Sequence, residues 1–363
     1  MDPRQPSRGF TLVELLVAIV VFALVFVGIL QLLDQSTRVS KVESALADTQ
    51  ENVRYAAYHL VRTARMCGGT NLPLARNDTG FQWVSLEVVD NNGTTFNDDF
   101  GNAHDTLSGS DVLRLRGFFE ATPYFVQPAS VNVSSGTVEV LEWTTNGREQ
   151  RLLEPPENKG IVLMGRNQYV VGTVASGSAI TETNEGNPPS GVQNHKLTIK
   201  FTGNGGDFWE SLNPSGTWSA PTYQVYRVGI LDSYNYFVDP DLQLMRWRAG
   251  AGNGSVEPVA VNIGSLQVAL GLDINQDRQL QPAEWFYSEV TTGGPSNAVA
   301  GDPNNRPLAL RITVLGRTPF PVMDWTEPLR TFRAENMVTP GAAARRAKWR
   351  ALRVQAALRD FIL

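Results

Sequence analysis

The sequence predicts an α+β chain, with one long N-terminal helix followed by a large antiparallel β-rich head. Three observations predict it. The chain opens on an apolar run, and a stripe of apolar or small residues at steps of three and four succeeds that run. From Phe81 onward, short β-branched and aromatic runs alternate with clusters of Gly, Asn, Asp and Pro.

The apolar run spans Phe10 to Leu33, 24 residues in which Glu14 is the only ionisable side chain. As a helix it would be about 36 Å long, enough to cross a bilayer core of roughly 30 Å. A carboxylate inside such a span is costly, so something should compensate it. A secretory signal would have a shorter apolar stretch followed by a small-residue cleavage site, and none follows Leu33. The cut site that fits lies before the run, between Gly9 and Phe10. Cleavage there would free an amine four residues from Glu14, which could pair with that ammonium in its own chain or in a neighbour's. The alternative is an ordinary single-pass anchor with a stray Glu. Arg4 and Arg8 precede the span and Asp34 closes it, so the leader faces the cytoplasm and the bulk of the chain lies outside.

Beyond the span, Val39, Val42, Leu46, Thr49, Val53, Ala56, Leu60 and Ala64 mark one helical face. Lys41, Glu43, Asp48, Glu51, Arg54 and Arg62 fall mostly off it. The helix should therefore continue to about Met66 with one face against a sheet, and Gly68-Gly69 should stop it. The chain then divides into residues 1–9 as leader, 10–33 as membrane helix, 34–67 as amphipathic helix on the head, and 68–363 as the head.

Strands are expected over 82–89, 111–116, 137–144, 160–164, 168–174, 196–202, 224–230, 234–238, 242–247, 266–272 and 308–315. The stretches 71–80, 90–110, 177–192, 203–221 and 291–307 read as long surface loops, which often carry binding function. No internal repeat appears, although the loops near 177–222 could set off an inserted subdomain.

Composition narrows the function classes. A formal net charge of −5 carries no global nucleic-acid signal. Cys67 is the only cysteine, so no internal disulfide is possible; it reads as a small buried residue, with an intermolecular bridge as the alternative. His59, His104 and His195 lack metal-ligand spacing, and no phosphate loop, dinucleotide fingerprint or nucleophile elbow is present. No catalytic set can be named, and no enzyme is expected. Among eight tryptophans, Trp143, Trp247 and Trp285 read as packing residues rather than a stacking platform.

The short basic leader, the Gly9-Phe10 junction, Thr11-Leu12 and Glu14 at the fifth mature position together resemble the type IV prepilin signature. The resemblance implies a type IV pilin fold, with cleavage at Gly9-Phe10 by a prepilin peptidase and N-methylation of Phe10. It also implies a subunit-assembly role for Glu14 opposite a neighbour's amine. Several later segments resemble the PilW family of minor pilins: 50–56 and 62–68 on the outer helix, 234–238 with 242–248, 261–272, 310–317, and the basic end at 345–350 with 358–359. The middle of the chain resembles the family poorly, and the lone Cys67 departs from relatives that carry paired cysteines. The family implies a low-abundance subunit that helps prime pilus assembly. Its partners would be other minor pilins, the major pilin and a PilY1-like tip adhesin. Such a subunit would sit as a single-pass inner-membrane protein with its head in the periplasm, and then in the surface pilus, at its tip. A pseudopilin of the type II secretion system shares this leader, and a tip adhesin or DNA-uptake subunit is a further alternative.

Two further segments carry chemistry. Asp273, Asn275, Asp277, Gln281 and Glu284 occupy positions 1, 3, 5, 9 and 12 of a twelve-residue stretch, with Gln279 at position 7 able to offer a carbonyl. This is the spacing of a calcium loop of the EF-hand type, so Ca2+ is the one cofactor expectation. Arg278 stands where that loop usually has Gly, and a solvated Asx-rich turn is the alternative. Six basic residues between Arg345 and Arg359 could suggest DNA contact. The alternation of Leu352, Val354, Ala356 and Leu358 instead favours a terminal strand with one buried face and a charged edge, so no nucleic-acid partner is expected.

Overall fold

The computed structural model describes residues 11–67, 85–90, 93–99, 101–119, 124–125, 131–132, 137–145, 160–165, 168–174, 179–182, 192–202, 209–211, 225–248, 254–291, 293–296, 306–322, 325–328, 331 and 335–358. Helix α1 runs unbroken from Leu12 to Met66. The strands begin with β1 (Leu86–Val89), β2 (Thr95–Asn97), β3 (Ala103–Asp105) and β4 (Val112–Gly117). Next come β5 (Tyr124–Phe125), β6 (Val131–Asn132), β7 (Thr137–Thr145), β8 (Gly160–Gly165), β9 (Gln168–Val174), β10 (Ala179–Glu182), β11 (Val192–Thr202) and β12 (Trp209–Ser211). The last seven are β13 (Val225–Val238), β14 (Gln243–Arg248), β15 (Ser255–Val261), β16 (Ile263–Asp273), β17 (Trp285–Phe286), β18 (Arg306–Arg317) and β19 (Trp349–Ala357). The fold is α+β, one long N-terminal helix and antiparallel sheets.

The chain forms two compact units, the first ending at Asp48 and the second starting at Thr49. In the first, α1 is exposed along its apolar length. In the second, its buried face is Thr49, Val53, Ala56, Ala57, Leu60, Thr63 and Ala64. Before this face, Val42, Ala45 and Leu46 are part-buried.

Among the described residues, the larger sheet has the order β1-β4-β13-β8-β9-β11-β7-β6, with β14 and β15 continuing from β13. The second sheet has the order β17-β16-β18-β19. The outer turns of α1 share one core with both, packing with Leu113, Leu115 and Tyr236 from the first and Ile263, Leu266, Ile312 and Val314 from the second. The two sheets are also joined by polar contacts: Asp111 Oδ2 accepts the Val268 N–H at 2.7 Å, and Ser110 Oγ accepts that of Leu266 at 3.0 Å.

Several strands differ from the expected pattern for identifiable reasons. The expected runs 224–230 and 234–238 are one strand, β13, because Asp232 and Ser233 between them are buried and bonded. Asp232 Oδ2 accepts the Phe119 N–H at 3.0 Å, and Ser233 donates to Asp99. Strand β16 is buried at every position, so it cannot show the alternation of a half-exposed strand. Strand β15 was not expected, and Pro258 within it explains why. The stretch read as a loop over 90–110 holds the β2–β3 hairpin, and those over 177–192 and 203–221 hold β10 and β12. The loop expected over 71–80 lies outside the described residues. Trp247 and Trp285 are core residues, as expected; the side chain of Trp143 lies outside the described residues.

Candidate functional site

At the start of α1, Thr11 and Glu14 close on each other. Glu14 Oε2 accepts the Thr11 N–H at 2.9 Å and the Thr11 hydroxyl at 3.0 Å, while Thr11 Oγ1 accepts the Glu14 N–H at 3.3 Å. This is a reciprocal cap: a Thr before the helix and a Glu three residues on satisfy donors that the first turn leaves without partners. The Thr11-x-x-Glu14 spacing was legible in the sequence as a cap, and attention to the charge alone missed it. Gly9 and Phe10 lie outside the described residues.

Past this cap, seventeen large apolar side chains from Leu12 to Leu33 are exposed, Leu12 at 79% and Phe22 at 70%. The helix is long and apolar enough to cross a membrane. Glu14 shares a shallow helix surface with Val13, Val17, Ala18, Val21, Phe22 and Val25, so its charge lies on an otherwise apolar face. Such a surface is unstable against water and needs lipid or other apolar helices around it. Polarity begins where the span ends: the Thr37 hydroxyl bonds Leu33 O at 2.8 Å, and Arg38 pairs with Asp34 at 2.9 Å.

The expected calcium loop leaves β16 at Asp273 and returns through a short 3-10 turn, Pro282–Glu284. Its oxygens face the loop's own backbone. Asp273 accepts the N–H groups of Asp277 and Arg278 at 3.1 and 3.0 Å. Glu284 accepts those of Ile274, Asn275 and Gln281 at 3.1, 3.3 and 2.9 Å. Asp277 accepts from Gln279 N–H, Asn275 Nδ2 and Gln281 Nε2 at 2.7, 3.1 and 3.3 Å, and donates its own N–H to Asn275 Oδ1 at 3.0 Å. Arg278, at the position that usually holds Gly, has a left-handed φ of 63°. Hard oxygen donors suit a divalent cation. Among the described residues, however, no three His, Cys, Asp or Glu side chains gather closely enough to hold a metal, and the hydrogen bonds account for the loop's shape.

The thiol of Cys67 is buried at the end of α1, donating to Ser85 O and to Arg116 O at 3.3 Å. Burial pushes its pKa up to about 12, which makes it a packing residue rather than a reactive one. His59 and Tyr236 meet inside the head, while His104 bonds Asp98 Oδ2 at 2.9 Å.

Comparison with known proteins agrees with the N-terminal geometry. Residues 4–30 match the prokaryotic N-terminal methylation motif. No curated protein matches the chain. Among solved structures, a type IV-like pilin from Thermus thermophilus is similar at 12% identity, over 59% of this chain and 91% of that one, with a TM-score of 0.24. What the comparisons show is thus that the segment holding the Thr11–Glu14 cap and the first turns of α1 carries a prokaryotic N-terminal methylation motif.

Proposed function

We propose that this chain is a PilW-like minor pilin that helps prime type IV pilus assembly. The observation that carries the reading is Glu14, the one charged side chain among residues 12–33 of α1, at the capped start of that exposed length and within the methylation motif. Prepilin peptidase would cut between Gly9 and Phe10, and Phe10 would then be N-methylated. The helix would leave the inner membrane for the filament, where Glu14 meets the amine of an adjacent subunit while the exposed apolar face packs among other helices. The head would face the periplasm first and the pilus tip afterwards, beside other minor pilins and a PilY1-like adhesin.

Mass spectrometry of the natural product tests this: a chain starting at an N-methylated Phe10 supports it, and retention of Met1 to Gly9 in working filaments overturns it. Deletion should abolish surface piliation. Loss of protein secretion with intact pili would select the type II secretion pseudopilin instead, and DNA retardation or cell binding by the purified protein would favour the tip-surface role.

Calcium at Asp273–Glu284 is a separate proposal, supported by the donor spacing and by the left-handed Arg278 at the sixth position. Calorimetric titration of the chain with calcium tests it; no heat, and no change on Asp277→Ala, would retire it.

A further inference from the structure

We infer that β19 docks edge to edge with the β19 of a second copy of this chain, antiparallel about Val354, so that two four-stranded sheets become one. Strand β19 is outermost in its sheet and pairs with β18 in unbroken register from Trp349 to Ala357. The phase of the ladder is fixed at both ends: the Thr318 N–H donates to Lys348 O at 2.9 Å, and the Leu358 N–H to Leu308 O at 2.9 Å. Even-numbered residues therefore bond to β18, and odd-numbered ones turn their N–H and C=O groups away from it. The first of these is already covered, because the Trp349 N–H donates to Glu327 Oε2 at 3.2 Å and Arg350 Nη1 donates to Trp349 O at 3.1 Å. Ala351, Arg353, Gln355 and Ala357 are exposed, and their outward backbone groups have no partner among the described residues. They form an open edge of about 20 Å.

Other edges of the described sheets are short or interrupted. Among the described residues, every other strand with a single neighbour is two to four residues long, except β15. Strand β15 carries Pro258 and pairs through a register shift, two devices that keep an edge from recruiting another strand. Strand β19 has nine residues, no proline and no bulge. Its two arginines do not guard it either: Arg350 turns onto Trp349 O, and Arg353 reaches Glu335 at 3.4 Å and Glu289 at 3.9 Å. An unblunted edge of this length is a site for strand addition.

The side chains select the occupant. In an antiparallel pairing about Val354, each open residue meets an open residue: Ala351 faces the partner's Ala357, and Arg353 faces the partner's Gln355, a donor opposite an acceptor. Val354 meets the partner's Val354 and Leu352 the partner's Ala356, on the face where Leu352 and Val354 are half-buried against the core. Pairing there removes more of their apolar surface from water. Centring one residue earlier sets Arg353 against the partner's Arg353, like charges directly opposed. Centring one residue later moves Ala351 past the end of the partner's β19. The strand is thus complementary to itself in one register, which is what a two-fold interface requires.

This inference stands on the head alone and is independent of the reading of residues 10–33. The full chain in micelles, with detergent in excess, tests it by hydrogen exchange and by cross-linking. The backbone amides of Ala351, Arg353, Gln355 and Ala357 should exchange fast in dilute protein and become protected as concentration rises. Val354→Cys should give a covalent dimer on oxidation by copper phenanthroline, since a non-hydrogen-bonded antiparallel pair holds its Cα atoms about 4.5 Å apart. The parent chain, whose Cys67 is buried, should give none. Adding Gln355→Pro removes an N–H that points away from β18 and, by symmetry, a bond from each copy, so the cross-linked fraction should fall about tenfold or more. Free exchange of the four amides at every concentration overturns the inference, as does a cross-link that Gln355→Pro leaves undiminished. Protection in natural filaments without protection in the purified chain also overturns it, in favour of a strand from another protein. Dimers held by the apolar helix alone would show neither protection nor cross-link, and would overturn it too.

Discussion

The hydroxyl of Tyr236 lies 3.0 Å from that of Thr63 and 3.3 Å from Nδ1 of His59, joining β13 to the outer turns of α1 by a polar contact inside an apolar core. Thr63 in turn donates to His59 O at 3.0 Å. Tyr236→Phe should cost about 1–2 kcal/mol, because the ring still fills the space while a buried hydrogen bond is lost. Thermal denaturation of the full chain in detergent reads this as a lowered midpoint.

The same cluster makes stability depend on pH. Burial, then the charges of Arg246 and Arg62, hold the imidazole of His59 below its ordinary 6.5, with Glu257 opposing. In the window between that lower value and 6.5, the unfolded chain binds the proton and the folded chain does not. This contribution is present above pH 6.5 and is lost as pH falls through the window. Unfolding measured from pH 7.5 down to 5 should show the loss, and His59→Gln should flatten it.

Thr11 and Glu14 can be separated by substitution. Thr11→Val removes the cap and should weaken the first turn by about 1 kcal/mol. Glu14→Gln keeps an oxygen for the Thr11 N–H but removes the charge. If Glu14 assembles by pairing with a neighbour's amine, Glu14→Gln should leave the helix intact and abolish recovery of the chain in sheared filaments. Normal recovery would reduce Glu14 to a capping residue.

At Gly316, β18 passes close against α1. A Cβ there would lie 2.4 Å from Val53 Cγ2 and 2.7 Å from Thr49 Cγ2, too close without a shift of the helix. Gly316→Ala should destabilise the head by about 1–3 kcal/mol, and Gly316→Val by more. Denaturant titration of both variants against the parent chain tests the order.

Glu335 is fully buried at its side chain and holds the segment leading to β19 against the sheet. Its carboxylate takes Arg311 at 2.8 and 2.6 Å and Arg353 at 3.4 Å. Arg311 also stacks 4.4 Å from the centre of the Trp285 ring. Glu335→Gln removes a charge that two guanidinium groups share and should cost about 3 kcal/mol. Chemical denaturation should show this loss, with Arg353→Lys costing much less because Arg353 is half-exposed and the weaker partner.

Legibility differed by region, and the reasons are local. The stripe Thr49, Val53, Ala56, Leu60 and Ala64 could be read because one face of a helix is buried and spacing alone reveals it. Strand β14 and the second half of β13 could be read as a pair, since Tyr234 faces Arg248 and Val238 faces Leu244 around a tight turn. Asp232-Ser233 looked like a break because their partners, Phe119 and Asp99, are more than a hundred residues away. The cap at Thr11 was within reach of its local spacing. The pairing of Glu335 was out of reach, because its partners Arg311 and Arg353 come from two different strands, β18 and β19.

By itself the sequence determined the first helix, its apolar length, its single carboxylate and the strand-rich character of the head. Those are properties of neighbouring residues, and a run of apolar side chains needs no distant contact to be costly in water. Tertiary structure alone decided that β16 is dry on both faces, that the head closes its core over the face of α1 from Thr49 to Ala64, and that Arg311 and Arg353 share the buried Glu335. Each of these depends on which surfaces meet across long sequence separations, and burial and ion pairing arise only where they do.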